Sequence, residues 1–369
     1  MNSFSCFIHK IIHRVTELIQ RQWWRDQASI LTWLLSPLSG LYVLLQKSHQ
    51  ALEMASSHDH LCNNFHTPVL TLVVGNVVVG GAGKTPMTLA LLHWLKAQGW
   101  KPGVISRGYG RVASPQTLPI FLGPQSSAYE VGDEPLLIYQ RTGVPVVVAR
   151  DRVAARRALL NAHPEVNIVV ADDGLQHYRL TRDVSIIVVD ERGWGNGWCL
   201  PAGPLRQPLG IRPPANSLVV YTGGVATCAW PGFLGHRNLA SPMRLQHWLN
   251  QGESIPATPW VALQGRRIHA VAGIAVPERF FQGLRRQGLL IEPLPLPDHF
   301  DYAHWIWPDH ATDVIMTEKD AVKLALKYSD RMAERVGADL SPQFWVVPLA
   351  FEVELGFWNT LHERLMHHG

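Results

Sequence analysis

Lys84 and Thr85 follow a run of small residues, Gly80-Gly81-Ala82-Gly83, and precede Pro86. Glycines let backbone N–H groups converge on an anion, a lysine there reaches the outer phosphates of a nucleotide, and a threonine hydroxyl can hold Mg²⁺. The full stretch Val74 to Thr85 reads V-G-N-V-V-V-G-G-A-G-K-T. It departs once from G-x-x-x-x-G-K-T, since the first glycine should stand at position 78 and the chain has Val78. Gly80 and Gly81 must then supply the backbone freedom, and Pro86 sits where its missing N–H is harmless at a helix start. The bland alternative is a glycine turn between a strand and a helix.

Acids come next. Asn167 to Asp173, N-I-V-V-A-D-D, is an apolar strand ending in Asp172 and Asp173. A carboxylate at such a strand end can hold Mg²⁺ directly or through water. Asp190, after V-S-I-I-V-V, is a rival; the Asp172/Asp173 pair is preferred because Gly174, Gln176 and His177 extend it into a polar turn. Two solvated loop acids are the alternative. Asp133 and Glu134, in V-G-D-E-P, fit a helix cap as well as they fit catalysis. Asp298-His299 reads as an acid/base pair or an ordinary loop, and Thr317 to Asp320 as a capping turn. Spacing alone does not choose among these.

The elements that must carry these residues alternate along the chain. Val69 to Val74, Lys101 to Ser106, Val144 to Val148, Val166 to Ala171, Val184 to Val189 and Ser217 to Tyr221 read as strands, and Met87 to Gln98 as a helix. Nearly continuous apolar runs of this kind suit a parallel sheet buried on both faces, with ligands beyond the carboxyl ends of its strands. The expected fold class is therefore α/β, a phosphate-loop NTPase-type mainly parallel sheet with helices on both faces. A smaller C-terminal α/β domain follows: strands at Ile268 to Ile274, Leu289 to Leu296, Asp313 to Met316 and Phe344 to Val347, helices near Glu278 to Gln287 and Ala321 to Lys327. The expected divisions are a basic leader (1–27), a membrane-associated apolar segment (28–46), the nucleotide-binding core (47–222), a β-rich linker (223–264) and the C-terminal domain (265–369).

Composition narrows the partners. The chain of 369 residues is 47% hydrophobic and 17% charged, which is globular, and its net charge of +4 comes with no long basic run, so no nucleic-acid partner is expected. No obligate protein partner is inferred. Cys6, Cys62, Cys199 and Cys228 are scattered and read as reduced thiols, and His58, His60, His66, His367 and His368 lie in polar, loop-like sequence, so no structural metal is expected.

Residues 1–27 mix apolar side chains with Lys10, Arg14, Arg21 and Arg25 at near-helical spacing. Ala28 to Gln46 then carries no charge, and its length as a helix, about 28 Å, barely matches a bilayer core. Pro37 and Gly40 interrupt it, and Trp23, Trp24, Trp33 and Tyr42 favour the headgroup level. An interfacial segment is the favoured reading over a true span or a buried helix. A signal peptide fits poorly, because the basic leader is long and a nucleotide site follows it.

Taken together, the motifs resemble those of the tetraacyldisaccharide 4′-kinases of lipid A biosynthesis. The resemblance rests on L-L-S-P-L-S-G-L-Y (Leu34 to Tyr42), V-G-N-x-x-V-G-G-x-G-K-T-P (Val74 to Pro86), S-R-G-Y-G-R (Ser106 to Arg111) and V-G-D-E-P (Val131 to Pro135). It continues through D-D-G-L-Q-H (Asp172 to His177), P-A-G-P-L-R (Pro201 to Arg206), D-H-F-D-Y (Asp298 to Tyr302) and T-E-K-D-A-V-K (Thr317 to Lys323). It implies transfer of the γ-phosphoryl of ATP to the 4′-hydroxyl of a lipid disaccharide 1-phosphate at the cytoplasmic face of a bacterial inner membrane. ATP and Mg²⁺ are the implied cofactors, held by Gly80 to Pro86, with Thr85, Asp172 and Asp173 at the metal. Asp133 matches the family's candidate base, and His299 the histidine that assists it, a dyad implied to need domain closure. Lys84 completes the catalytic set. Arg107, Arg111 and Arg206, with Gln176 and His177, are expected on the substrate side, since guanidinium pairs well with phosphate.

The chain departs from the family pattern at Val78, where a small hydroxyl residue is usual, and at Leu175, where an aromatic is usual. A switch ATPase of the G-G-x-G-K-T class would carry a lysine where this chain has Val79, and T-E-K-D misplaces the lysine of an N/T-K-x-D guanine-reading motif. A non-catalytic membrane scaffold is the remaining alternative.

Overall fold

The computed structural model describes residues 18–25, 27–55, 69–109, 118–249, 257–302, 304, 306–308, 310–324 and 342–368. Arg111, Cys6, Cys62, His58, His60, His66, residues 1–17 of the leader and the end of the helix expected at 321–327 lie outside these residues.

In chain order the first half runs α1 (Ile30–Ala55), β1 (Leu70–Gly75), α2 (Lys84–Ala97), β2 (Pro102–Ser106), β3 (Ile120–Phe121), α3 (Ala128–Val131), α4 (Asp133–Thr142), β4 (Val146–Val148) and α5 (Arg152–Ala162). Then come β5 (Ile168–Asp172), β6 (Val184–Val189), β7 (Ser217–Tyr221), β8 (Phe233–Leu239), β9 (Met243–Arg244) and α6 (Leu245–Leu249). The chain closes with β10 (Arg267–Ala272), α7 (Pro277–Arg286), β11 (Leu290–Pro295), β12 (Asp313–Thr317), β13 (Gln343–Val347), β14 (Leu349–Val353) and α8 (Leu355–His368).

By contacts the chain forms two compact units, the first of 1–84, 173–236 and 353–369, the second of 85–172 and 237–352. The chain crosses between them at Lys84/Thr85 and again at Asp172/Asp173. In the first unit β1 pairs in parallel with β6, β6 with β7, and β7 with β8. Every residue of β1, β6 and β7 is buried. Successive side chains of a strand point to opposite faces, so both faces of this sheet are covered, as the continuous apolar runs require.

In the second unit β2 lies in parallel between β5 and β4, and β3 caps β4 antiparallel. A five-stranded sheet in the same unit has the order β11-β10-β12-β13-β9, parallel except for β9. One apolar cluster unites these two parts, for Val131, Leu136, Leu137 and Val148 pack with Trp248, Tyr302, Trp307, Val314 and Phe344. The stretch 223–264, expected as a linker, contains β8, β9 and α6.

Local chemistry explains the helix ends. Asp151 caps α5 by accepting from the N–H groups of Val153 and Ala154, and Ser127 and Glu130 form a reciprocal capping box on α3. Pro277 opens α7 with Glu278 beside it, and Arg285 and Arg286 close it, matching the helix dipole at both ends.

The apolar segment forms most of α1, with Pro37 inside it. No helix among the described residues is long and apolar enough to cross a membrane. Its polarity is inverted relative to an ordinary surface helix. Thr32 and Ser39 are buried, the Ser39 hydroxyl donates to the Cys199 carbonyl at 2.8 Å, the Tyr42 hydroxyl to the Arg206 carbonyl at 2.9 Å, and Gln46 Nε2 to the Tyr178 hydroxyl at 2.6 Å. Ile30, Leu34, Leu38, Leu41, Leu45 and Leu52 stand on the opposite side, each at least half exposed.

Candidate active site

The phosphate loop is built entirely within the first unit up to Lys84. β1 ends at Gly75, where an added Cβ would lie 2.6 Å from the Leu175 side chain, so Leu175 closes over the strand end as a core residue. Asn76 follows, fully buried. Its Nδ2 donates to the Val78 carbonyl at 2.8 Å, and its Oδ1 accepts from Lys84 Nζ at 3.1 Å. One amide thus sets both ends of the loop.

Val78 has a structural reason. It forms a β-bridge with Leu205, flanked by Val79 N–H donating to the Pro204 carbonyl at 2.9 Å and Arg206 N–H to the Val77 carbonyl at 2.8 Å. A buried position in extended pairing suits a β-branched residue better than glycine. The turn comes later, at Gly80 (φ 92°) and Gly83 (φ 89°), where an L side chain would be strained.

Two further groups grip the loop. Arg192 Nη2 donates to the Gly81 carbonyl at 2.9 Å, while its Nε donates to Asp190 Oδ2 at 2.7 Å and its guanidinium lies 4.2 Å from the Trp24 ring centre. Asp190, the rival metal ligand, is thereby engaged by Arg192. The Thr222 hydroxyl donates to the Ala82 carbonyl at 3.3 Å.

Lys84 Nζ lies 3.6 Å from Asp173 Oδ1, and Arg206 Nη1 donates to the same oxygen at 3.1 Å. Gln176 joins them, its Oε1 accepting from Arg206 at 3.4 Å and its Nε2 donating to the Asn76 carbonyl at 3.2 Å. Asp173 is held in the left-handed region, φ 51°, which costs a non-glycine residue of the order of 1 kcal/mol and marks a position fixed by its surroundings. His177 is half-buried in the following turn, its carbonyl accepting from Arg182.

The second unit, taken by itself, carries the other expected residues. Thr85 and Pro86 lie in the first turn of α2, with Thr85 buried. Asp172, at the end of β5, is buried and accepts from the hydroxyls of Thr88 and Ser106, both at 3.4 Å. Thr85 and Asp172 each offer oxygen atoms, the donor type Mg²⁺ prefers. Arg107 is exposed just beyond β2.

Asp133 is the first residue of α4, and its two carboxylate oxygens face different partners. Gly132 precedes it at φ 91°, where a Cβ would stand 2.7 Å from the Tyr109 carbonyl. Asp133 Oδ1 accepts from the Glu134 N–H at 2.9 Å, and Oδ2 is 2.9 Å from His299 Nδ1. The dyad is thus already in contact within one unit. His299 also has a left-handed backbone, φ 60°, and its ring faces Tyr109 at 5.5 Å. Lys319 pairs with Glu134, and Arg141 with Glu318, which also accepts from Trp248 Nε1 and the Leu349 N–H, both at 3.1 Å. Asp320 accepts from the Gly273 N–H at 3.1 Å and from the Thr317 hydroxyl at 2.7 Å, so T-E-K-D is a capping turn and a brace for β10.

Burial pushes the Asp133 carboxyl upward, but the hydrogen bond from His299 and the charge of Lys319 outweigh it and hold the group below its ordinary 3.8. The same hydrogen bond lifts His299 above its ordinary 6.5 against the opposing pull of burial. A raised histidine contributes stability fully below its unfolded value and loses it as pH rises through the folded one; a depressed aspartate contributes above its unfolded value and loses it as pH falls. The pair should therefore act at full strength between about 4 and 6.5 and weaken at higher pH. In thermal unfolding from pH 5.5 to 9, the deficit of His299→Asn against wild type should be a few degrees at the acidic end and shrink toward the basic end. A deficit independent of pH would remove the ion pair.

Sequence reasoning missed Asn76, Arg192, Thr222, Ser106 and Lys319. Asn76, Ser106 and Lys319 stand inside the quoted motifs V-G-N-x-x-V-G-G-x-G-K-T-P, S-R-G-Y-G-R and T-E-K-D-A-V-K, whereas Arg192 and Thr222 stand in none of them.

Comparison with known proteins gives one consistent result. A family model described as tetraacyldisaccharide-1-P 4′-kinase matches residues 31–366. A tetraacyldisaccharide 4′-kinase of Methylibium petroleiphilum is 44% identical over 356 residues, covering 94% of this chain and 93% of the relative. One of Leptothrix cholodnii is 45% identical over 354 residues, covering 94% and 95%. Among solved structures, LpxK from Aquifex aeolicus, crystallised in complex with ATP, matches with a TM-score of 0.68 at 24% identity, over 92% of this chain and 99% of that one.

Proposed function

The chain belongs to the tetraacyldisaccharide-1-P 4′-kinase family, and from that membership we propose how its residues divide the work. The reaction is phosphorylation of the 4′-hydroxyl of a tetraacyl disaccharide 1-phosphate in lipid A biosynthesis. The phosphoryl donor is ATP, and Gly80 to Thr85 form its phosphate cradle. Lys84 neutralises the outer phosphates, and Asn76 holds that ammonium in place before the nucleotide arrives. Pro86 sits in the first turn of α2, where its missing N–H costs no helix hydrogen bond and the helix N-terminal end favours the same negative charge.

Thr85 and Asp172 would hold Mg²⁺, which would offset negative charge on the transferred group. Asp173 orients Lys84 and Arg206, the two cations it faces.

Asp133 takes the proton of the sugar hydroxyl. The single observation that carries this assignment is the 2.9 Å contact between buried Asp133 and His299. His299 fixes the carboxylate and leaves each oxygen a lone pair for the incoming hydroxyl. A carboxylate held below its ordinary range is a weak base, which suits a loose transition state in which the hydroxyl proton leaves late. Arg107, Arg111 and the Arg206–Gln176–His177 turn receive anionic and polar groups of the acceptor.

The exposed leucine face of α1 lies in the membrane interface on the cytoplasmic side, bringing a lipid acceptor within reach. A two-part experiment tests these readings. With acceptor lipid in vesicles, wild type should transfer labelled phosphate from ATP, and EDTA should stop it. Leu34→Ser/Leu38→Ser/Leu41→Ser should keep nucleotide affinity but lose about tenfold or more in vesicle binding and turnover. No transfer by wild type sinks the kinase reading; a triple variant indistinguishable from wild type sinks the interfacial one alone.

A further inference from the structure

The five-stranded sheet of the second unit carries a cluster that phosphoryl transfer does not use. His269 on β10 and Glu292 on β11 are register partners in a parallel ladder, and His269 Nδ1 lies 3.3 Å from Glu292 Oε2. His310, in the segment leading into β12 on the other side of β10, brings its ring to 5.7 Å from that of His269. One ligand atom from each of the three residues lies within 4.8 Å of the others. We propose that His269, Glu292 and His310 bind a divalent transition-metal ion of the zinc class, with a fourth position open to water or an external ligand.

The distances fit such an ion. Metal–nitrogen and metal–oxygen bonds of about 2.0–2.2 Å in a tetrahedron place ligand atoms about 3.3–3.6 Å apart. The His269–Glu292 separation of 3.3 Å falls at the short end of that range, and a turn of the exposed His310 side chain brings the third atom in. The exposure is graded: His269 is buried, Glu292 intermediate and His310 exposed. A fixed inner ligand and an outer one that closes from solvent give the ion an entry path.

Arg267 supports the site. It pairs with Glu292 through Oε1, whereas Oε2 is the oxygen that faces His269. The guanidinium can therefore stay on one carboxylate oxygen while the other binds metal, the usual outer partner of a ligating acid. Two imidazoles favour zinc, copper or nickel over magnesium, so the site would not compete for the ion at Asp172. A histidine–glutamate hydrogen bond needs only two of these groups, and His310 makes the difference.

The test uses the full-length protein stripped with EDTA and titrated with Zn²⁺ by calorimetry, with Mg²⁺ in parallel, in wild type, His310→Ala and Glu292→Gln. His310 is exposed, so its replacement leaves the fold intact, and circular dichroism checks both variants. Wild type should gain a zinc equivalent that each variant binds at least about tenfold more weakly, and saturating zinc should raise the wild-type Tm by about 2 °C or more. Co²⁺ should give the visible absorption of a tetrahedral site in wild type and not in His310→Ala. If wild type takes up no zinc, or His310→Ala binds it with wild-type affinity and stoichiometry, the cluster is a hydrogen-bonded pair and the proposal falls.

Discussion

Asp133→Asn is expected to lower kcat for phosphoryl transfer by about 10²–10⁴ while nucleotide affinity stays within about twofold of wild type. The replacement has the same shape, and its carbonyl can still accept from the Glu134 N–H that Asp133 Oδ1 receives. What it removes is the charge facing His299 and the acceptor for the sugar proton. His299 then loses the partner that raises its pKa, so the variant should also lose the pH dependence of the His299 stability contribution. A merely structural Asp133 would shift Tm and leave kcat alone. Steady-state turnover of the variant within threefold of wild type, measured with saturating ATP, would eliminate Asp133 as the base.

Lys84→Ala should cost on the order of 10³ in kcat/KM for ATP, because the deleted ammonium opposes charge on the very group that moves. Lys84 is buried, but its loss does not strand Asp173, which keeps Arg206 at 3.1 Å. The fold should therefore survive, with Tm within a few degrees of wild type. Lys84→Arg should not restore activity, since a bulkier planar fork cannot place a single point charge where the Lys84 ammonium sits, 3.1 Å from Asn76 Oδ1. Retention of a tenth or more of the activity by Lys84→Ala would move the phosphate-binding role elsewhere.

Much of the frame was legible because burial on both faces of a parallel strand writes itself as an apolar run. β1, β2 and β4 to β7 stand within two residues of the expected strands, as do β10 to β13. β8 was not legible, for F-L-G-H-R-N-L neither alternates nor runs apolar, and its burial in the structure is correspondingly uneven. β3 and β9, of two residues each, are too short to carry any period. The packing of Leu136 and Val148 with Tyr302 and Phe344 leaves no local trace either, since a core contact across such a distance constrains only residue type.

The site divides in the same way. The residues of the phosphate loop are neighbours in sequence, so spacing revealed them. Asp133 and His299 are 166 positions apart, and only the resemblance joined them before the structure did. Val78 looked like a defect while the loop was read alone. Its reason, pairing with Leu205, lies in another segment. Arg192 and Thr222 act on loop carbonyls, and a carbonyl accepts from any donor, so no residue type in the loop announces them.

The attachment of α1 has one more implication. Greasy contacts are non-directional and would let a helix roll about its own axis, whereas Ser39, Tyr42 and Gln46 bond to fixed acceptors and stop that roll. The leucine row is thereby aimed in one direction without contributing to the attachment. Tolerance to replacement should follow the same division: any apolar residue of similar size can stand at Leu34, Leu38 or Leu45, while the small polar residues on the other side are read atom by atom.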